Sequence, residues 1–268
     1  MTLGTLALAL IALATTACDP PPQPSPEPSV IRPDASPAAA SASTAATATA
    51  AAPTASHHPD HPPIDCPLRK QGINPHALKP FEDVEKYIAF LERPDRAAWQ
   101  KPDEVVAALE LQGTETVADL GAGSGYFSFR LAKALPRGKV VAIDIEPEMI
   151  RHIHHQAMTT GVDNIAVQLA KPDDPSVPAA ADWVLICDVL HHVKEREAWL
   201  KRLHDQLKPT AKVALVEFRS GPLPEGPPEA LKIGKEALLA LMKTAGFALV
   251  TEQPELLPYQ YLMVFSKG

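Results

Sequence analysis

The stretch Val117-Ala118-Asp119-Leu120-Gly121-Ala122-Gly123-Ser124-Gly125-Tyr126 decides how this chain is read. An apolar run with strand character passes into a turn with three glycines at alternate positions, and a helical pattern follows. Glycines let a backbone approach a ligand closely, and free N–H groups at the start of a helix favour a carboxylate or a phosphate. A dinucleotide turn would require G-x-G-x-x-G, but Tyr126 stands at the third glycine position and the spacing is G-x-G-x-G. This disfavours a nicotinamide-dependent oxidoreductase.

Outward from the turn, short apolar runs alternate with amphipathic segments. Strands are expected at 116–120, 139–143, 165–169, 183–187 and 212–218, with helices at 126–135, 147–160 and 195–207 between them. Nearly continuous apolar strands separated by helices imply a parallel sheet covered on both faces. The ending differs, because a helix at 235–245 precedes two strands, 247–251 and 259–265, with a short connection. Such a hairpin adds one antiparallel strand. The expected architecture is therefore α/β, with a mostly parallel seven-stranded sheet and helices on both faces. Ahead of this core, Phe81, Val84, Ile88 and Leu91 mark one helix, and Pro102 opens another that runs to Leu111 with Val105, Val106 and Leu109 on one face.

With these residues placed, the chain resembles the class I S-adenosylmethionine-dependent methyltransferases, in their small-molecule branch. The first motif of that family, an acidic residue followed by x-G-x-G-x-G, is matched by Asp119, Gly121, Gly123 and Gly125. The second, an acidic residue closing the second strand, is matched by Asp144, whose distance from the glycines suits contact with both ribose hydroxyls. Ala181 to Val193, ending in Leu190-His191-His192-Val193, resembles the fourth motif, and Leu207-Lys208-Pro209 before the next strand resembles the fifth. The resemblance covers about residues 100 to 268.

The resemblance implies a Rossmann-like methyltransferase fold with S-adenosylmethionine as cofactor. Gly121 and Gly123 would form the floor beneath its methionine part, with Asp119 near the ammonium group, and Ala122 and Gly125 would belong to the same cofactor-binding turn. Asp144 would hold the ribose and Ile145 would pack on the adenine. Where relatives often have Gly-Asp-Ala, this chain has Ala170-Lys171-Pro172-Asp173-Asp174, which leaves adenine recognition to backbone groups or to Asp173. Asp188 would face the methyl-transfer site. His191 or His192 is a candidate general base, since an unperturbed histidine accepts a proton near neutral pH; the alternative is that both only open the next connection. The segment 80–100, with Trp99 and Gln100, sits where such enzymes carry a substrate-covering lid.

Charge and composition sharpen the expectation. The 268 residues carry 32 Asp and Glu against 25 Lys and Arg, with no long basic cluster, which argues against a nucleic-acid partner and for a small-molecule methyl acceptor. Residues 1–17 are almost wholly apolar and end Thr15-Thr16-Ala17 before Cys18, which resembles a bacterial lipoprotein signal with lipidation at Cys18. From residue 18 to 65, Pro, Ala, Ser and Thr dominate and cannot bury a core, so this is expected to be a disordered tether. His57, His58, His61, Asp65 and Cys66 lie at its end. Prolines keep that backbone extended and no second ligand pair follows, so no metal site is expected. The domains expected are a signal at 1–17, the tether at 18–65, a helical extension or lid at 66–100 and the methyltransferase domain at 101–268. The localisation expected is the bacterial cell envelope, membrane-anchored at the N-terminus, with a cytoplasm-facing domain as the alternative. Two functions stand open: a methyltransferase acting on a small acceptor, and an S-adenosylmethionine-binding module without turnover.

Overall fold

The computed structural model describes residues 67–72 and 81–268. The signal, the lipidation at Cys18, the tether and the cluster from His57 to Cys66 lie outside the described residues. Ahead of the sheet come α1 (Pro67–Lys70), α2 (Phe81–Leu91), α3 (Arg96–Gln100) and α4 (Pro102–Ala107). The core then alternates: β1 (Thr116–Leu120), α5 (Ser128–Ala134), β2 (Lys139–Asp144), α6 (Pro147–Thr160), β3 (Ile165–Leu169), β4 (Trp183–Cys187), α7 (Arg196–Gln206), β5 (Lys212–Phe218), α8 (Lys235–Thr244), β6 (Phe247–Glu252) and β7 (Gln260–Lys267). Among the described residues, no helix is long and apolar enough to cross a membrane.

The seven strands form one sheet in the order β3-β2-β1-β4-β5-β7-β6. β1 to β5 are parallel, and β7 lies antiparallel to both β5 and β6. The last strand thus enters the sheet's interior and the sixth forms its edge. The order reverses between β1 and β4, and at such a switch point the loops diverge and leave a crevice beyond the strands' carboxyl ends.

Strand alternation assigns side chains to the two layers. Ala118 and Leu120 of β1 join Val184, Ile186, Val213 and Leu215 against Trp199, Leu200 and Leu203 of α7 and Leu238 and Met242 of α8. Val117 faces the other way, with Val140, Leu185 and Val216, against Val105 of α4 and Leu131 of α5. Fully buried side chains such as Leu131, Leu185 and Leu200 each contribute about 1.5–3 kcal/mol.

Two helices are shorter than their periodicity suggests. Pro102 opens α4 as expected, but it ends at Ala107 because the chain turns at Glu110, where φ is +53°. Helix α5 begins at Ser128 because Tyr126 and Phe127 still belong to the glycine turn; its first helical contacts are Phe129 N–H to Gly125 O and Leu131 N–H to Phe127 O. The five-residue α3 had no periodic signal. It is joined to α4 at Lys101, a left-handed residue with φ +43°.

Candidate cofactor site

The glycine turn is pinned to the neighbouring strand, because the N–H groups of Gly121 and Ala122 both donate to Ile143 O, at 2.8 and 3.0 Å. Gly121 has φ +78°, and a Cβ there would fall inside the Val189 side chain. No other residue type fits that position without displacing the connection after β4. Asp144, at the tip of β2, closes the other side: Gly123 N–H donates to Oδ2 at 2.8 Å and Glu146 N–H to Oδ1 at 2.9 Å. Burial raises its carboxyl pKa, and these backbone donors oppose the rise. Asp144 therefore organises the turn and the start of α6 together.

Beyond the ends of β1, β2 and β4 lies a cavity of about 550 Å³. Its walls include Leu120 and Gly121 after β1, Asp144 and Ile145 after β2, Val189 and His192 after β4, and Trp199 from α7. Ile145 is 49% exposed and presents an apolar side chain at this opening. Asp173 is on the wall too, where Arg202 Nη1 donates to its main-chain oxygen and lies 3.3 Å from Oδ2. Of the residues expected to contact cofactor, Gly121, Asp144, Ile145 and Asp173 line the cavity, and Asp119, Ala122, Gly123, Gly125 and Asp188 do not.

Asp119 shares a strand face with Val117, which turns it toward α5, and Ser128 Oγ donates to its Oδ2 at 2.6 Å. It is 2% exposed, and burial pushes its carboxyl up to about 6 against the Ser128 hydrogen bond. Asp188 follows β4 with φ +59°, a left-handed conformation that costs about 1–2 kcal/mol outside glycine. Two buried amides hold it: Gln100 Nε2 donates to Oδ2 at 2.8 Å and Gln260 Nε2 to Oδ1 at 2.6 Å. Burial, and after it the charge of Glu217, push its carboxyl up to about 6. Cys187, beside it, is a free thiol whose pKa burial raises well above the usual value.

The two histidines separate. His191 is buried, with Nδ1 2.8 Å from Glu217 Oε2 while its backbone N–H donates to Oε1 at 3.2 Å. A carboxylate only accepts, so Nδ1 carries the proton. Burial works against a charge on the ring, but Glu217 outweighs it and the net shift of His191 is upward. His192 lines the cavity, and its pKa is lowered by burial and by the neighbouring His191.

Sequence reasoning missed the partners of these groups. Glu217 shares a strand face with Val213 and Leu215, and Gln260 with Leu262 and Val264. A lone acid or amide in register with an apolar face was a readable signal of a buried polar role. Gln100 offered none, because α3 has no periodicity to place it inward.

The arrangement fits a nucleoside with an amino-acid arm. The cavity lies within the usual size range for small-molecule sites and is mainly apolar, a carboxylate stands at one wall, and the glycine turn gives backbone access beyond it. Residues 118–213, from β1 to the start of β5, match a family described as a methyltransferase domain. The likeness is to methyltransferases. A tRNA U34 carboxymethyltransferase of Ruthia magnifica is 31% identical over 105 residues, 38% of this chain and 32% of that protein. A trans-aconitate 2-methyltransferase of Mycobacterium tuberculosis is 28% identical over 133 residues, 50% of this chain and 47% of that protein. The chain thus spans about a third to a half of these relatives. Among solved structures, a SAM-dependent methyltransferase from Aquifex aeolicus superposes with a TM-score of 0.64 at 23% identity, covering 68% of this chain and 98% of that one. At that identity the superposition shows a shared fold, the Rossmann-like class I methyltransferase architecture.

Proposed function

We propose that the protein is an S-adenosylmethionine-dependent methyltransferase that acts on a small-molecule acceptor. The observation that carries the reading is the joint geometry of Gly121, Asp144 and the cavity at the switch point, within a segment similar to methyltransferase domains. When bound, the cofactor would supply an electrophilic methyl group on a sulfonium. Asp144 would accept the ribose hydroxyls, Ile145 and Trp199 would enclose the base, and the turn from Gly121 to Gly125 would carry the amino-acid arm past Asp119.

Little acid–base help is needed when an acceptor is already nucleophilic, so positioning would supply most of the rate. For a protic acceptor, His192 is the histidine at the cavity, and its lowered pKa keeps the ring neutral and able to take a proton at pH 7. His191, clamped by Glu217, would hold the connection after β4. The acidic balance of the chain supports a small acceptor over RNA, although one relative bears a tRNA-directed name. Asp188, capped on both oxygens by Gln100 and Gln260, favours a second reading, a cofactor-binding module without turnover.

The test supplies S-adenosylmethionine with a labelled methyl group to the full chain, together with separate pools of carboxylic acids, phenols, amines and bulk tRNA. Label in one of the small-molecule pools is expected. Label confined to tRNA overturns the proposed acceptor class, and binding without transfer to any pool favours the second reading.

A further inference from the structure

The three glycines of the turn differ in what faces the side that a side chain would occupy. A Cβ at Gly121 would meet Val189, and one at Gly125 would meet Phe129 and Ile153, so both turn that side to the α/β core. Gly123, with φ +55°, turns it outward, where it meets Cδ1 of Leu91, the last residue of α2, at 3.3 Å. The cavity beyond the strand ends reaches Gly121 but not Gly123. Leu91 fills the cradle that the missing side chain leaves, and a ligand arm running along the turn needs the same space.

Helix α2 is loosely seated for an element in this position. Among its residues whose side chains are described, only Ile88 is buried, and Tyr87 and Phe90 are 54% and 56% exposed. Few buried apolar contacts mark a segment that opens at low cost. The end of the helix is instead clamped from two sides. Glu92 Oε1 lies 3.9 Å from His152 Nε2 on α6. Arg93 Nη2 donates to Glu225 Oε2 in the loop after β5, while its Cζ lies 4.9 Å from the Phe90 ring centroid and 5.7 Å from that of Trp99. Contacts at a rim, each of modest strength, hold α2 across the turn in place of a packed core.

We propose that α2 is an autoinhibitory plug: Leu91 occupies the path of the cofactor's amino-acid arm at Gly123, and the Arg93–Glu225 pair latches it there. This rests on the methyltransferase reading. The base half of the site stands open at the cavity while the arm half is closed, so a nucleoside enters base first and has to displace α2 only if it carries an arm. Binding that requires an opened state is weakened by the fraction of molecules in that state. Shrinking the plug or releasing the latch therefore strengthens binding, an effect opposite to that of damaging the site.

The test compares two thioether nucleosides that share the adenosine half. S-adenosylhomocysteine carries the amino-acid arm and 5′-methylthioadenosine lacks it. Calorimetric titration of the full chain is made for the parent, for Leu91→Ala, which shortens the plug, and for Glu225→Gln, which weakens the latch and leaves Leu91 in place. Leu91→Ala is expected to bind S-adenosylhomocysteine about 3- to 10-fold more tightly than the parent, and Glu225→Gln about 2- to 5-fold, with 5′-methylthioadenosine bound by both as by the parent. Unchanged or weaker S-adenosylhomocysteine binding by Leu91→Ala with its thermal transition intact overturns the plug, and equal tightening of both nucleosides overturns its placement on the arm's path. Unchanged affinity in Glu225→Gln overturns the latch, and that variant carries the test should Leu91→Ala fail to fold. If neither the parent nor either variant binds either nucleoside, the methyltransferase reading itself is overturned.

Discussion

Gly121 and Gly161 both sit at positive φ, +78° and +71°, yet a side chain at each meets different surroundings. A Cβ on Gly161 has nothing within 4 Å, whereas one on Gly121 runs into Val189. Gly161→Ala is expected to lose about 1 kcal/mol from backbone strain alone, and Gly121→Ala about 2–4 kcal/mol because overpacking adds to it. Urea unfolding of both variants reads the difference, and equal losses would show that Val189 does not constrain the turn. Asp188 supplies a pH signature. Its carboxyl titrates near 6 when folded and near 4 when unfolded, so between those values the native state holds the extra proton. Stability from this group is fully present below pH 4 and lost as pH rises past 6, on the order of 2–3 kcal/mol. Other carboxylates shift the opposite way, Asp174 through Gln206 and Glu92 through His152. The measurement is therefore the stability of the parent minus that of Asp188→Asn from pH 4 to pH 7. The difference is expected to fall with pH, and a flat or rising difference contradicts the buried, raised carboxyl.

Among the elements, the short α3 carries more than its length suggests, because Gln100 is fully buried and bonds the tip of β4. Gln100→Ala leaves Asp188 Oδ2 without that donor, and a loss of about 1–3 kcal/mol in chemical denaturation is expected. A change below about 0.5 kcal/mol would mean that α3 docks through its other contacts. This element also shows where sequence reading stops. Strands such as Val140 to Ile143 and Val184 to Ile186 are continuous apolar runs, and their parallel pairing follows from the helices between them. The glycine turn and Asp144 were legible for a related reason, since a strand end and a turn tie function to fixed spacing. The groups that close around the tip of β4 were not, because they come from α3, β5 and β7, and no local pattern links Gln100, Glu217 and Gln260. Only the inward register of Glu217 and Gln260 hinted at burial.

At the scale of the molecule, the order β3-β2-β1-β4-β5-β7-β6 sets a crevice at one end of the sheet, and the turn after β1, Asp144 at the tip of β2 and His192 after β4 meet there. The proposed anchor at Cys18 is tested separately, by fractionating cells that carry Cys18→Ala. Release of the variant from the membrane fraction is expected, and a variant as membrane-bound and unprocessed as the parent would contradict lipidation. The central claim is that the crevice binds an S-adenosyl nucleoside. Calorimetric titration of the full chain with S-adenosylmethionine, S-adenosylhomocysteine and a nicotinamide dinucleotide tests it most directly. Binding of the first two in the micromolar range, about −8 kcal/mol, with none for the third is the result expected; binding of the dinucleotide alone, or of none of the three, would contradict it.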